Sequence, residues 1–186
     1  CREGERWAEA LAVLPLTRAA RLEPNLIVCN ALVSVCERCE RWEEALGLLD
    51  LSASSGQGAD TVSWNAAVGS CEKGREWRAA VQLLWKASGC GSVSLDVISY
   101  SSAISACEKC IQWVAAWHLW TWMKRDRAEP DAVAHGALLS AGEKGRQWAL
   151  ALGALGRLRR GAAEPNTVVC SAAASACEKG QQWPRA

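Results

Sequence analysis

Cys36-Glu37-Arg38-Cys39-Glu40-Arg41-Trp42 decides the fold, because variants of this heptad occur six times along the chain. CREGERW opens at Cys1, CEKGREW at Cys71, CEKCIQW at Cys107, GEKGRQW at Gly142 and CEKGQQW at Cys177. The closing Trp falls at 7, 42, 77, 113, 148 and 183, giving intervals of 35, 35, 36, 35 and 35. A second landmark keeps the same period: Asn25, Asp60, Asp96, Asp131 and Asn166. Self-similarity at such a period marks an array of supersecondary units. Four full repeats follow, at 26–60, 61–96, 97–131 and 132–166, with partial repeats at 1–25 and 167–186, all in one continuous solenoid.

Each repeat is expected to hold two helices. In the second, Trp42, Ala45, Leu46 and Leu49 stand at i, i+3, i+4 and i+7, one apolar stripe. The offsets recur as Trp77, Ala80, Val81, Leu84, then Trp113, Ala116, Trp117, Trp120, then Trp148, Ala151, Leu152, Leu155. The first helix starts after the Asp/Asn landmark. Gly74, Gly145 and Gly180 stand where a helix C-terminus calls for φ > 0, and 54–58 and 88–94 form the turns between repeats. A single 35-residue hairpin cannot bury both of its apolar faces, whereas stacked copies can. The expected fold is therefore all-α: a right-handed α-solenoid of stacked antiparallel helical hairpins. The repeat phase starts within a first helix and stops within a second one, as expected of a piece of a longer array.

Composition narrows the function. The 186 residues hold 21 Lys and Arg against 20 Asp and Glu, a net charge of +1 that excludes a strongly basic nucleic-acid clamp as a whole-chain description. Half of the residues are apolar, and the aromatics are eleven Trp, one Tyr and no Phe, as in a copied template. The uncharged run from Cys110 to Met123 is shorter than the roughly 20 residues a membrane span needs, so no membrane partner is expected, and no targeting segment is visible.

Nine of the ten cysteines fall on repeat offsets, and only Cys90 does not. Cys36-x-x-Cys39 and Cys107-x-x-Cys110 have zinc-knuckle spacing, but they stand two repeats apart and could not close one site. Small buried thiols, with no metal and no cofactor, are the expectation. His118 and His135 read as structural. No Ser/His/Asp set, phosphate-binding loop or metalloprotease helix occurs, so an enzyme is not expected, and neither is a small-molecule ligand.

The outer face of the first helix has its own composition. At about 100° per residue, the second, fifth, ninth and thirteenth residues share one face. The second is branched and aliphatic: Ile27, Val62, Ile98, Val133, Val168. The fifth is small or polar: Asn30, Asn65, Ser101, Gly136, Ser171. The ninth is tiny: Ser34, Gly69, Ser105, Ser140, Ser175. The thirteenth is basic: Arg38, Lys73, Lys109, Lys144, Lys179. Such a stripe suits an unpaired nucleotide: an aliphatic for the base face, a short polar group for its edge, room beside it, and a cation for the phosphate. The Asp and Asn landmarks are also favoured helix N-caps, and Lys or Arg suits a helix C-terminus.

With Val-Ser-Trp-Asn-Ala at 62–66, Val-Ile-Ser-Tyr-Ser-Ser-Ala-Ile at 97–104 and Glu-Pro-Asp at 129–131, the chain resembles the pentatricopeptide repeat family over essentially its whole length. The resemblance implies binding of single-stranded RNA, protein N-terminus toward the RNA 5′ end, in organelle RNA processing, stability, editing or translation (chloroplast or mitochondrion). It implies that fifth and last residues together choose the base while the second sandwiches it. Asn30 with Asp60 and Asn65 with Asp96 then favour U, and Ser101 with Asp131 favours G. Gly136 with Asn166 departs from the usual pairs, leaning at most toward A, so the implied core is 5′-U-U-G-A-3′. Ser171 opens the next, incomplete pair. The rival expectation is a protein-binding scaffold of tetratricopeptide type, which repeats every 34 residues and lacks the paired polar columns.

Overall fold

The computed structural model describes residues 26–54, 59–90 and 95–145, together with the isolated positions 12, 147, 153, 156, 171, 174, 175 and 178. Val168, Asn166, Lys179, Gly180 and the stripe from Trp148 to Leu155 lie outside the described residues. Among those described there are seven helices and no strand: α1 (Leu26–Arg38), α2 (Trp42–Ser54), α3 (Thr61–Lys73), α4 (Trp77–Cys90), α5 (Val97–Lys109), α6 (Trp113–Arg125) and α7 (Ala132–Lys144). None is long and apolar enough to cross a membrane. The fold is an all-α helical repeat.

The landmark acids start the first helices. Asp60 and Asp131 are the N-caps of α3 and α7, accepting from Ser63 N at 2.9 Å and Ala134 N at 2.8 Å. Asp96 accepts from Ser99 N at 2.9 Å in the same way. These bonds satisfy N–H groups that a helix's first turn leaves without partners.

The helix ends differ from expectation. Gly74 and Gly145 have ordinary right-handed φ of −72° and −79°. The left-handed residue comes one later and is not glycine: Glu40, Arg75 and Ile111, at φ 57–58°. There the chain closes a double turn, with Arg41 N on Cys36 O at 2.9 Å and Glu76 N on Cys71 O at 2.9 Å, the Schellman arrangement. Gly74 and Gly145 are small for a steric reason. A Cβ on Gly74 would stand 2.6 Å from Cδ1 of Trp42, and one on Gly145 2.5 Å from Cδ1 of Trp113. The turn before the third repeat is also shorter than expected, because α4 continues through residues 88–90.

Two compact units are present, residues 1–99 and 100–186. In the first, α1 packs on α2 and α3, and α3 packs on α2 and α4. Its core includes Leu32, Val33 and Cys36 from α1, Leu48 and Leu49 from α2, Trp64, Val68 and Cys71 from α3, and Leu83 and Leu84 from α4. In the second, Tyr100, Ile104 and Cys107 join Leu119, Trp120, Met123, Leu138 and Leu139, and the Tyr100 hydroxyl donates to Asp126 Oδ2 at 2.5 Å.

The second helices are rotated from the expected stripe. Ala45, Leu48 and Leu49 are buried while Trp42 and Leu46 are half-buried; Ala80, Leu83 and Leu84 are buried while Trp77 and Val81 are half-buried. The buried face thus starts one turn after the Trp, which leans along the stack onto the next repeat's glycine. Among the described Trp residues of the expected stripes, only Trp120 is fully enclosed.

Candidate nucleic-acid interface

Every described second residue of a first helix is solvent-exposed despite being a large aliphatic: Ile27 76%, Val62 59%, Ile98 60% and Val133 58%. The helices spend their apolar packing on the fourth, seventh, eighth and eleventh residues, so these side chains remain uncovered.

Beside them, fifth and last residues meet. Asn30 Nδ2 donates to Asp60 Oδ1 at 3.1 Å and to Oδ2 at 3.2 Å. Asn65 Nδ2 donates to Asp96 Oδ2 at 2.9 Å, and Ser101 Oγ to Asp131 Oδ1 at 3.0 Å. Capping and side-chain pairing are therefore both done by the same carboxylate, because the acid ends one repeat and starts the next helix. Burial pushes the Asp60 carboxyl up, but hydrogen bonds from the Ser63 N–H and hydroxyl and from Asn30 outweigh it and hold the group below its ordinary value.

The fifth residues differ in access. Asn30 and Asn65 are half-buried, and Ser101 is only 5% exposed. Nothing lies within 4 Å of a Cβ built on Gly136, so its place in the column is open. Ser171 is exposed.

The ninth and thirteenth columns are arranged differently from expectation. Arg38, Lys73, Lys109 and Lys144 are all exposed. However, Lys73 Nζ is paired with Glu37 Oε1 at 3.0 Å, Lys144 Nζ pairs with Glu108 Oε1, and Arg38 Nε donates to Ser34 O at 3.4 Å. The tiny ninth residue seats a glutamate of the preceding repeat. A Cβ on Gly69 would stand 3.1 Å from the Glu37 carboxyl, Ser140 Oγ donates to Glu108 Oε1 at 2.7 Å, and Ser175 Oγ donates to Glu143 Oε1 at 2.8 Å. The space expected to serve a nucleotide is thus occupied by an acid from the repeat before. For Glu108, burial disfavours the charge, yet the Lys144 and Ser140 hydrogen bonds prevail and keep its carboxyl below the usual range.

Two columns were missed in the sequence. The twelfth residue, Glu37, Glu72, Glu108, Glu143 and Glu178, is acidic in every heptad copy from Cys36 onward, and that invariance beside the basic column was the available signal. The third residue, Ser63 or Ser99, has a buried hydroxyl placed against both Asn and Asp of the preceding pair.

The thiols Cys36, Cys71 and Cys107 are fully enclosed, and burial pushes them up to about 11, about 12 and about 12. No group of three or more His, Cys, Asp or Glu among the described residues could hold a metal ion. His135 is buried with Nδ1 2.8 Å from Asp131 O, while His118 is exposed.

The family model for the PPR repeat matches residues 27–56. No curated protein sequence matches the chain. Among solved structures, the pentatricopeptide repeat protein PPR10 from maize superposes with a TM-score of 0.77 at 20% identity, over 96% of this chain and 25% of that one. PPR10 in complex with an 18-nt psaJ RNA element gives 0.79 at 21% identity, over 96% and 26%. The PPR domain of Arabidopsis thaliana protein-only RNase P 1, in complex with tRNA, gives 0.77 at 13% identity, over 95% and 92%. This chain thus spans about a quarter of the PPR10 chain. A PPR repeat stands at residues 27–56, and nearly the whole chain has the fold of pentatricopeptide repeat structures.

Proposed function

We propose that this chain binds single-stranded RNA without catalysis, taking about one nucleotide per repeat. One observation carries the proposal: exposed branched aliphatics stand one helical turn from hydrogen-bonded polar pairs, in repeat after repeat. PPR10 and the RNase P domain, which share the fold, are the ones seen with RNA.

The donor count explains how the pairs discriminate. Asn30 and Asn65 direct an N–H to the carboxylate, which leaves the second N–H and a carbonyl lone pair. One donor beside one acceptor complements the edge of uracil, which offers a carbonyl and an N–H. Ser101 directs its one proton to Asp131, so it can only accept, and with the carboxylate it suits the donor-rich edge of guanine. Gly136 offers no polar atom, so the base over it is read only by Asn166 and by stacking on Val133. The proposed core is 5′-U-U-G-A-3′, the fourth place being the least constrained.

Stacking on an aromatic ring contributes about 1–3 kcal/mol per base, an upper limit for the branched aliphatics here, so four repeats give at most roughly 4–12 kcal/mol before association and ordering costs of similar size. Micromolar or weaker binding is expected of this chain. By family resemblance the setting is organellar RNA processing, stability, editing or translation. Asn65→Ser tests the proposal in anisotropy titrations against RNAs varied at one nucleotide. Preference there moves from U to G, the other positions being unchanged. Unaltered preference in a folded variant overturns base reading by the pairs.

A further inference from the structure

We infer that Ser63 and Ser99, each the third residue of its repeat, are positioning residues that set the base specificity of the repeat before. The inference rests on the RNA-binding proposal above and adds a third member to each of the two Asn–Asp pairs.

The Ser63 hydroxyl lies 2.8 Å from Asp60 Oδ1 and also contacts Asn30 Oδ1. Ser99 repeats the arrangement, 3.0 Å from Asp96 Oδ1 and against Asn65 Oδ1. Each hydroxyl has one proton, shared between an acid and a carboxamide oxygen. The carboxamide is thereby held at both ends, nitrogen to the carboxylate and oxygen to the serine. Its terminal torsion is otherwise soft and roughly two-fold.

Helix capping does not account for these hydroxyls. Capping uses the backbone N–H, and Ala134 N makes the same bond to Asp131 at 2.8 Å with no hydroxyl at all. A buried hydroxyl is costly unless it is bonded, and these two are 1% and 0% exposed. The sequence pairs accordingly: Asn30 is followed by Ser63 and Asn65 by Ser99, whereas Ser101, which has no carboxamide to orient, is followed by Ala134.

The test reads U preference with RNAs bearing each base at the nucleotide of one repeat. Ser63→Ala lowers the preference at the Asn30 nucleotide about threefold to tenfold, the range of one hydrogen bond, and leaves the Asn65 nucleotide unchanged. Ser63→Thr, which keeps a hydroxyl, restores it. A uniform loss over all four bases, as a purely structural serine would give, overturns the inference. A gain-of-function pair decides the matter even where Ser63→Ala does not fold. Ser101→Asn creates a weak U preference, and adding Ala134→Ser strengthens it about threefold or more. Equal preferences in the single and double variants overturn the inference and leave pair reading intact. If neither variant gains any U preference, pair reading itself fails.

Discussion

The Trp42 indole stands in the space that a side chain at residue 74 would need, its Cδ1 2.6 Å from the Cβ position of Gly74. Trp113 stands in the same relation to Gly145 at 2.5 Å. A tryptophan at the start of one second helix therefore locks onto the end of the next repeat's first helix.

This contact reverses the sign that a glycine to alanine change would otherwise have at this right-handed C-cap position. Glycine to alanine ordinarily gains about 0.5–1 kcal/mol in a helix. Gly74→Ala should instead lose about 1–3 kcal/mol, the range for overpacking. Gly47, with nothing within 4 Å of its Cβ position, is the control, and Gly47→Ala should gain about 0.5–1 kcal/mol. Urea unfolding of both variants reads the difference directly. A stabilised Gly74→Ala protein contradicts the contact.

The residue after that glycine carries the conformational cost. Arg75 is exposed and left-handed at φ 57°, as is Glu40 at 58°. A non-glycine residue there costs about 1–2 kcal/mol, part of which glycine returns through the greater freedom of its unfolded chain. Arg75→Gly should raise stability by about 0.5–1 kcal/mol, read as an increase in Tm. An unchanged or lowered Tm would mean that the Arg75 side chain contributes as much as its backbone costs.

The glycines show how far the sequence could be read. The heptad interval and the Asp/Asn landmark located the starts of all four described first helices, because a 3.6-residue apolar face and an N-cap are local properties. The purpose of Gly74 is not local: the residue that excludes a Cβ lies 32 positions away, and only packing reveals it. In the sequence Gly69 offers room for a base for the same reason, since the Glu37 carboxyl that fills the room comes from the preceding repeat. The period marks the Asp/Asn column before each first helix, whereas the partnering of fifth with last residues comes only through the family resemblance. The third-residue serines are not legible, because a serine in a first turn already has an ordinary place as a capping neighbour.

Acid should act through the Asp60 carboxylate. Asp60 is held below its ordinary value of 3.8 in the folded chain, so the folded state binds its proton less readily than the unfolded one. Its contribution is fully present above the unfolded value and is lost as pH falls from there through the folded value. Stability should therefore be flat near neutrality and decline below about pH 4. Asp60→Asn should lower stability at pH 7 and flatten that decline. Denaturant midpoints from pH 2.5 to 7 check both effects, and an equally steep decline in the variant would assign it to other carboxylates.

The glutamate column makes an opposite prediction for RNA. Glu108 neutralises Lys144, and Glu37 neutralises Lys73, so in the proposed mode of binding a phosphate would compete with a carboxylate for each of these two cations. Such partly exposed pairs contribute about 0–1 kcal/mol to stability, which leaves the exchange close to balance. Glu108→Gln keeps an oxygen for Ser140 while removing the competing charge. Affinity should rise for every RNA sequence alike, base preference should stay fixed, and the slope of log K against log salt should steepen by up to about 0.7 for the one phosphate gained. A fall in affinity with an unchanged slope would show instead that the glutamate orients the lysine for its phosphate, and that the pair reaches the RNA as a unit.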